Sequence, residues 1–137
     1  MGKSSSIKKR ISIQYLRFLL HTNKYDIQVE SPDGYVPVID VVDSGPQKVA
    51  ITHIRGGRSI ISSPEHPHQT QDGWVAAKYL STADKILSKK RGYVPVEDVK
   101  LLGDNIKMDM LDVLVDHPNH RFYGNGIATH NTYGVVS

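Results

Sequence analysis

At 137 residues the chain is long enough for one domain with a buried core, and 39% hydrophobic with 23% charged residues is the balance of an ordinary globular protein. Seventeen Lys and Arg against fourteen Asp and Glu leave a net charge of +3, gathered in Lys3, Lys8, Lys9 and Arg10 and in Lys89, Lys90 and Arg91. Such short clusters read as solvated tails or loops, so nucleic acid is not an expected partner. The chain has no cysteine, which excludes a disulfide framework and a thiolate metal site and leaves oxygen or nitrogen as any nucleophile.

Residues 1 to 10 are polar, basic and serine-rich, and read as a flexible leader outside the fold. No apolar run approaches the roughly 20 residues of a membrane span, and this leader lacks the apolar stretch of a secretory signal. The expectation is a soluble, cytoplasmic protein without a membrane partner. From Ile11 to His21 apolar residues at 11, 13, 16, 19 and 20 suggest a short strand running into a helical turn. Strands are then predicted at Tyr25 to Glu30, at Val36 to Val42 after the Pro32, Asp33, Gly34 turn, at Lys48 to Ile54 before Gly56 and Gly57, and at Ser59 to Ser62. Pro64 and Pro67 interrupt this pattern. Gly73 to Leu80 adds Trp74 and an apolar patch, and the charged stretch Lys85 to Arg91 reads as an exposed loop. Val94 to Leu102 and Met110 to Val115 follow as strands. Arg121 to Tyr123 and Gly126 to Thr129 flank an Asn125, Gly126 turn of the hairpin type. Many short strands with frequent turns predict an all-β domain. Within it, residues 34 to 41 recur as 92 to 99 with seven of eight positions identical. Two readings stand: chance likeness of two edge strands that tolerate proline, or two pseudo-symmetric halves of one β fold.

Chemistry is suggested first by the seven histidines, six of which fall in two groups: His53, His66 and His68, then His117, His120 and His130. Imidazoles titrate near neutral pH, so groups of them suit proton transfer or metal binding, although a single histidine is more often a surface or satisfied core residue. Ser63 and His66, three positions apart across Pro64, can direct a hydroxyl and an imidazole into one pocket to polarise a carbonyl and protonate a leaving amine. Ser63 as a plain turn former and His68 as its exposed neighbour are the simpler readings. At the other end, Asn131 lies between His130 and Thr132. Its side-chain amide can attack its own backbone carbonyl and break the chain as a succinimide, with His130 as proton donor and the Thr132 hydroxyl able to carry an ester.

From Met110 to Thr132 the sequence resembles the final block of inteins. A strand holds Asp112, His120 precedes the aromatic Phe122, Asn125 and Gly126 make the turn, Ile127 opens a short apolar strand, and His130, Asn131 and a hydroxyl residue, Thr132, close the motif. Residues 60 to 80 resemble the family's earlier block, in which a Thr and a His three apart precede a Gly-Trp pair. Here Ser63 stands for the threonine, ahead of His66, Gly73 and Trp74. The resemblance implies the horseshoe-shaped all-β Hint fold over residues 11 to 131, with pseudo-two-fold related halves and residues 132 to 137 as a stub of the downstream extein. Fewer than fifty residues separate the blocks, too few for a homing endonuclease.

Inteins of this type open on a nucleophilic Cys or Ser in a block like C..GDT, and nothing ahead of residues 11 to 16 resembles it. The expectation is therefore the carboxyl-terminal fragment of an atypically split mini-intein, lacking its first strand, whose partner is a short amino-terminal intein fragment. The resemblance implies a single-turnover, autocatalytic rearrangement without metal or cofactor, acting on amino- and carboxyl-side extein polypeptides. The implied site is Ser63, His66, Asp112, His120, His130, Asn131 and Thr132. Two other classes stay open: a metal-dependent nuclease of the His-Asn-His kind using His117, His120 and His130, and a β-rich interaction module with no chemistry.

Overall fold

The computed structural model describes residues 10–130. Residues 1 to 9 of the expected leader, the expected site residues Asn131 and Thr132, and the expected extein stub lie outside the described residues. The described chain opens on helix α1 (Ile13–His21), where the sequence suggested a strand and a helical turn. Ser12 caps it by accepting the Tyr15 N–H at 3.1 Å, and the apolar positions 13, 16, 19 and 20 fit one helical face. Leu16 is buried at the centre of that face.

Eleven strands follow among the described residues: β1 (Gln28–Ser31), β2 (Gly34–Lys48), β3 (Ala50–Ile54), β4 (Arg58–Ser62), β5 (Pro67–Thr70), β6 (Gly73–Ala76), β7 (Lys85–Ser88), β8 (Gly92–Leu101), β9 (Lys107–Val115), β10 (Arg121–Gly124) and β11 (Ile127–His130). One sheet runs β1-β2-β9. The other runs β10-β11-β5-β7-β8-β3-β4, with β6 beside β5 and an added pairing of β11 with β7. All pairings are antiparallel, which gives the all-β fold expected from the sequence.

Two of the strand readings need correction. Lys85 to Arg91 is not simply an exposed loop, because Lys85–Ser88 is an interior strand whose Ile86 is fully buried. The charged flanks of that strand face water and mask a single inward apolar residue. Pro67 does not end strand structure either. It begins β5, where a missing N–H costs the ladder least.

The recurring octapeptide marks a duplicated structural unit. Ser31 pairs with Gly34 and Val29 with Val36 in the β1-β2 hairpin, as Ser88 pairs with Gly92 and Ile86 with Val94 in the β7-β8 hairpin. Each turn is closed by its serine. The Ser31 hydroxyl donates to the Gly34 carbonyl and accepts the Asp33 N–H, and the Ser88 hydroxyl donates to the Gly92 carbonyl and accepts the Arg91 N–H. Gly34 and Gly92 both sit at positive φ, at 94° and 68°, where a side chain would be strained. Each strand is then handed to a new partner at its proline: Pro37 faces Gln28 before Val38 meets Val115, and Pro95 faces Lys85 before Val96 meets Ile54. The proline carbonyls still accept, from the N–H of Asp116 and of Arg55. Both strands then bulge, β2 between Val38 and Asp40 and β8 opposite the His53/Ile54 step. The bulge falls at Ile39 and Glu97, both exposed and the one position at which the two octapeptides differ. These are interior strands, so the reading of two chance edge strands gives way to pseudo-symmetric halves.

Each half has its own core. Leu16, Val36, Val38, Val41, Val113, Val115 and Phe122 pack in the first, and Ile54, Leu80, Ile86, Val94, Val96 and Ile127 in the second. The β10-β11 hairpin contributes Phe122 to one and Ile127 to the other, so its strands lie along the seam. Its turn has Asn125 at φ 49° and Gly126 at φ 78°, as expected from the Asn-Gly pair. The Asn125 side-chain amide donates to the Ser59 carbonyl of β4. A second tie crosses the molecule at Arg121, whose guanidinium grips both Asp33 oxygens at 2.7 and 2.8 Å and donates to Gln69 at 2.9 Å.

Candidate active site

Ser63 and His66 lie in the turn between β4 and β5, and that turn is held from both sides. The His66 N–H donates to the Ser63 carbonyl at 3.1 Å, and the Ser62 hydroxyl donates to the same oxygen at 2.9 Å. The short 3-10 turn Ala77–Tyr79 closes over it, with the Ala77 N–H on the His66 carbonyl and the Lys78 N–H on that of Pro64. Ser63 is buried.

His130, the last residue of β11, is the point on which the other histidines converge. The His66 ring hydrogen-bonds to the His130 backbone, and the His120 and His130 ring centroids are 6.3 Å apart. Trp74 of β6 meets the His130 ring edge-on, 4.8 Å between centroids and 81° between planes. His120 takes a positive φ of 49° just before β10, and its N–H is anchored on the His117 carbonyl at 3.0 Å. The His130 Nδ1 is buried and meets no hydrogen-bonding partner among the described residues. The structure therefore brings together His66, His120 and His130, with Ser63 tied by its carbonyl to the His66 N–H in the same turn. Asp112 is buried on β9, with its side chain on the strand face opposite Val113 and Val115. The sequence grouping also took in His53 and His117, which stand elsewhere: His53 faces Ser59 and Asp98 in the β3 ladders, and His117 lies 3.7 Å from the Asp33 carboxylate.

Burial governs the proton state of this cluster. It depresses the pKa of His66 to about 4, with His130 adding to the effect, and lowers that of His130, with His120 adding. His68, fully buried rather than exposed, is pushed to about 3 by burial and then by His66. Neutral imidazoles each offer one N–H donor and one acceptor, the state needed to pass a proton without carrying a standing charge. The sign of the stability effect follows. These folded-state values lie below the ordinary 6.5, so the unfolded chain takes up protons first as the pH falls. Stability is full above about pH 6.5 and declines through the window from there to about pH 3. Urea unfolding midpoints at pH 7, 5 and 4 are expected to fall steadily, and constant midpoints would contradict neutral buried histidines.

Sequence reasoning missed two residues of this neighbourhood, His68 and the packing of Trp74 on His130. The signal was present in the alternation of β5, where His68 and Thr70 face inward and Pro67 and Gln69 do not, but the two prolines obscured it.

No protein-family model matches the sequence, and no curated protein does. Solved structures do. The chain is similar to the VidaL intein, in its selenomethionine variant, at 29% identity over 96% of this chain and 88% of that one, with a TM-score of 0.86. It is similar to the gp41-1 intein at 27% identity over 80% and 84%, TM-score 0.68. A DnaB intein from Synechocystis sp. PCC 6803 shares the fold at 24% identity over 90% and 88%, TM-score 0.77. The duplicated hairpins, with histidines gathered at the end of the last strand, define an all-β Hint domain. Over most of its length the chain is similar in structure to inteins, and that likeness supports an intein Hint-domain protein and protein splicing in general.

Proposed function

We propose that the chain splices in trans: it associates with a short amino-terminal intein fragment, excises itself and joins the flanking exteins. The observation that carries this reading is the convergence of His66, His120 and His130 at the end of β11, immediately before the Asn131, Thr132 pair. Histidines of both sequence blocks meet there, as a reaction linking two junctions requires. An incoming strand would pair along an open sheet edge.

In this mechanism the side-chain oxygen or sulfur of the fragment's first residue attacks the carbonyl before it, giving an ester or thioester and a free amine. Ser63 orients that carbonyl, and the neutral His66 takes the proton of the attacking group on its free ring nitrogen and delivers it to the departing nitrogen. The Thr132 hydroxyl attacks the ester carbon, displaces the first nucleophile and takes over the upstream extein. Asp112 organises this transfer between junctions. The Asn131 amide nitrogen then attacks its own backbone carbonyl, the bond to Thr132 breaks, and the Thr132 amine leaves with a proton supplied by His130. His120 stands behind His130 to polarise it. The freed amine attacks the adjacent ester, and an ordinary peptide bond results. Each bond's free energy passes to the next, and no external cofactor enters the balance. The nuclease reading gains nothing from the geometry, because among the described residues no three His, Asp or Glu side chains group as metal ligands.

Intact-mass analysis of the chain mixed with short intein amino-terminal fragments fused to a marker tests the proposal. Transfer of residues 132 to 137 to the marker, with loss of the same mass from the chain, is the expected result. Retention of those residues on the chain with every fragment, while the fragments bind, would overturn it.

A further inference from the structure

We infer that His68 is a positioning residue for the splicing histidines, its imidazole clamping the strand that follows His66 to the strand that ends in His130. The inference rests on the splicing reading above and deepens it.

His68 is fully buried, on a strand face where an apolar side chain would avoid the cost of burying two ring nitrogens. Both nitrogens face hydroxyls. Nδ1 lies 3.1 Å from the Thr129 oxygen and Nε2 lies 3.5 Å from the Ser62 oxygen. Thr129 donates its proton to the Pro67 carbonyl at 3.2 Å and Ser62 donates its own to the Ser63 carbonyl, so both oxygens accept from the ring, and the shorter contact, 3.1 Å against 3.5 Å, places the proton on Nδ1. The consequence is a closed cross-link, in which Thr129 of β11 is bonded at once to the ring of His68 and the carbonyl of the residue before it.

That cross-link falls where the backbone supplies least. β5 and β11 share one ladder pair, Thr129 with His68. Two residues upstream of His68 is His66, and one downstream of Thr129 is His130, so this rung is the β5-β11 ladder pair closest to both splicing histidines. On its other side His68 approaches Ser62, whose hydroxyl serves the Ser63 carbonyl that also holds the His66 N–H. The ring thus borders both supports of His66. Its own centroid lies 5.6 Å from that of His66, close enough for any shift to be felt.

The test uses the full-length chain with His68→Phe, Thr129→Val and Thr129→Ser. Phenylalanine fills the ring volume without hydrogen bonds, valine keeps the threonine shape without the hydroxyl, and serine restores the hydroxyl. Side-chain NMR follows the titration of His66, and thermal melts report folding. Loosening the clamp admits water to His66, so its midpoint is expected to rise by about one unit or more toward the ordinary histidine value in the first two variants, and to stay in place in Thr129→Ser. Splicing with a reactive fragment is expected to slow about tenfold or more in the same two variants alone. An unshifted His66 midpoint in folded Thr129→Val overturns the inference. Thr129→Val, which changes one atom, decides the matter should His68→Phe fail to fold. The titration needs no partner, so a wild-type chain that splices with no fragment would defeat the splicing reading while the His66 midpoints still judge the clamp.

Discussion

Asn131→Ala is expected to abolish release of the chain from its downstream neighbour, with cleavage before Thr132 at least about 10³-fold slower and a branched or uncleaved species accumulating instead. The size of the effect follows from the chemistry of ring closure. An amide held next to its own carbonyl reacts as though at very high concentration, and alanine supplies no atom to take its place. Water is the only remaining nucleophile, and nothing holds it against the carbonyl as the asparagine amide is held. Association with the amino-terminal fragment is expected to be unchanged, because the strands and both cores precede residue 131. Mass spectrometry of a timed reaction distinguishes the species. Release at the wild-type rate would mean that a different residue breaks the chain.

That expectation was available from the sequence, since the order His130, Asn131, Thr132 carries its own chemistry. Much of the fold was legible for a similar reason. Alternating β-branched residues and turn glycines locate β2, β3, β8 and β9, and the Asn125, Gly126 pair fixes the β10-β11 hairpin. Helix α1 was only half visible, because its cap is a single serine and its inward face rests on Leu16 with Leu20 beside it. β7 was hidden because one buried isoleucine among charged neighbours leaves no period to read. The octapeptide repeat announced a symmetry, but only the pairing registers explain why its odd position is free: Ile39 and Glu97 occupy equivalent bulges that point to solvent. The site divided along the same line. His66 and His130 stood in motifs, whereas the ladder pair that joins their strands, His68 with Thr129, links residues 61 apart in the chain.

His66→Ala is expected to slow the first acyl shift by about 10²-fold or more while leaving the chain folded and able to bind its fragment. The geometry sets both halves of that statement. The ring bonds to the His130 backbone, and burial keeps it neutral down to about pH 4, so at neutral pH it holds a free nitrogen that can take up a proton and pass it on rather than standing as a cation. Alanine removes the donor and leaves the turn, because the bonds that shape it run through the backbone of residues 63, 64, 66, 77 and 78. The wild-type rate should then show no inflection from His66 between pH 6 and 8, and lose its His66-dependent component only where the ring becomes protonated, near pH 4 to 5. His130→Ala differs in kind, since it should spare the first acyl shift and slow the release step. Following thioester or ester formation by thiol or hydroxylamine trapping separates the two. A first step of unchanged rate in His66→Ala would shift the activation of the upstream carbonyl away from this ring, and Ser63 would be the next group to test.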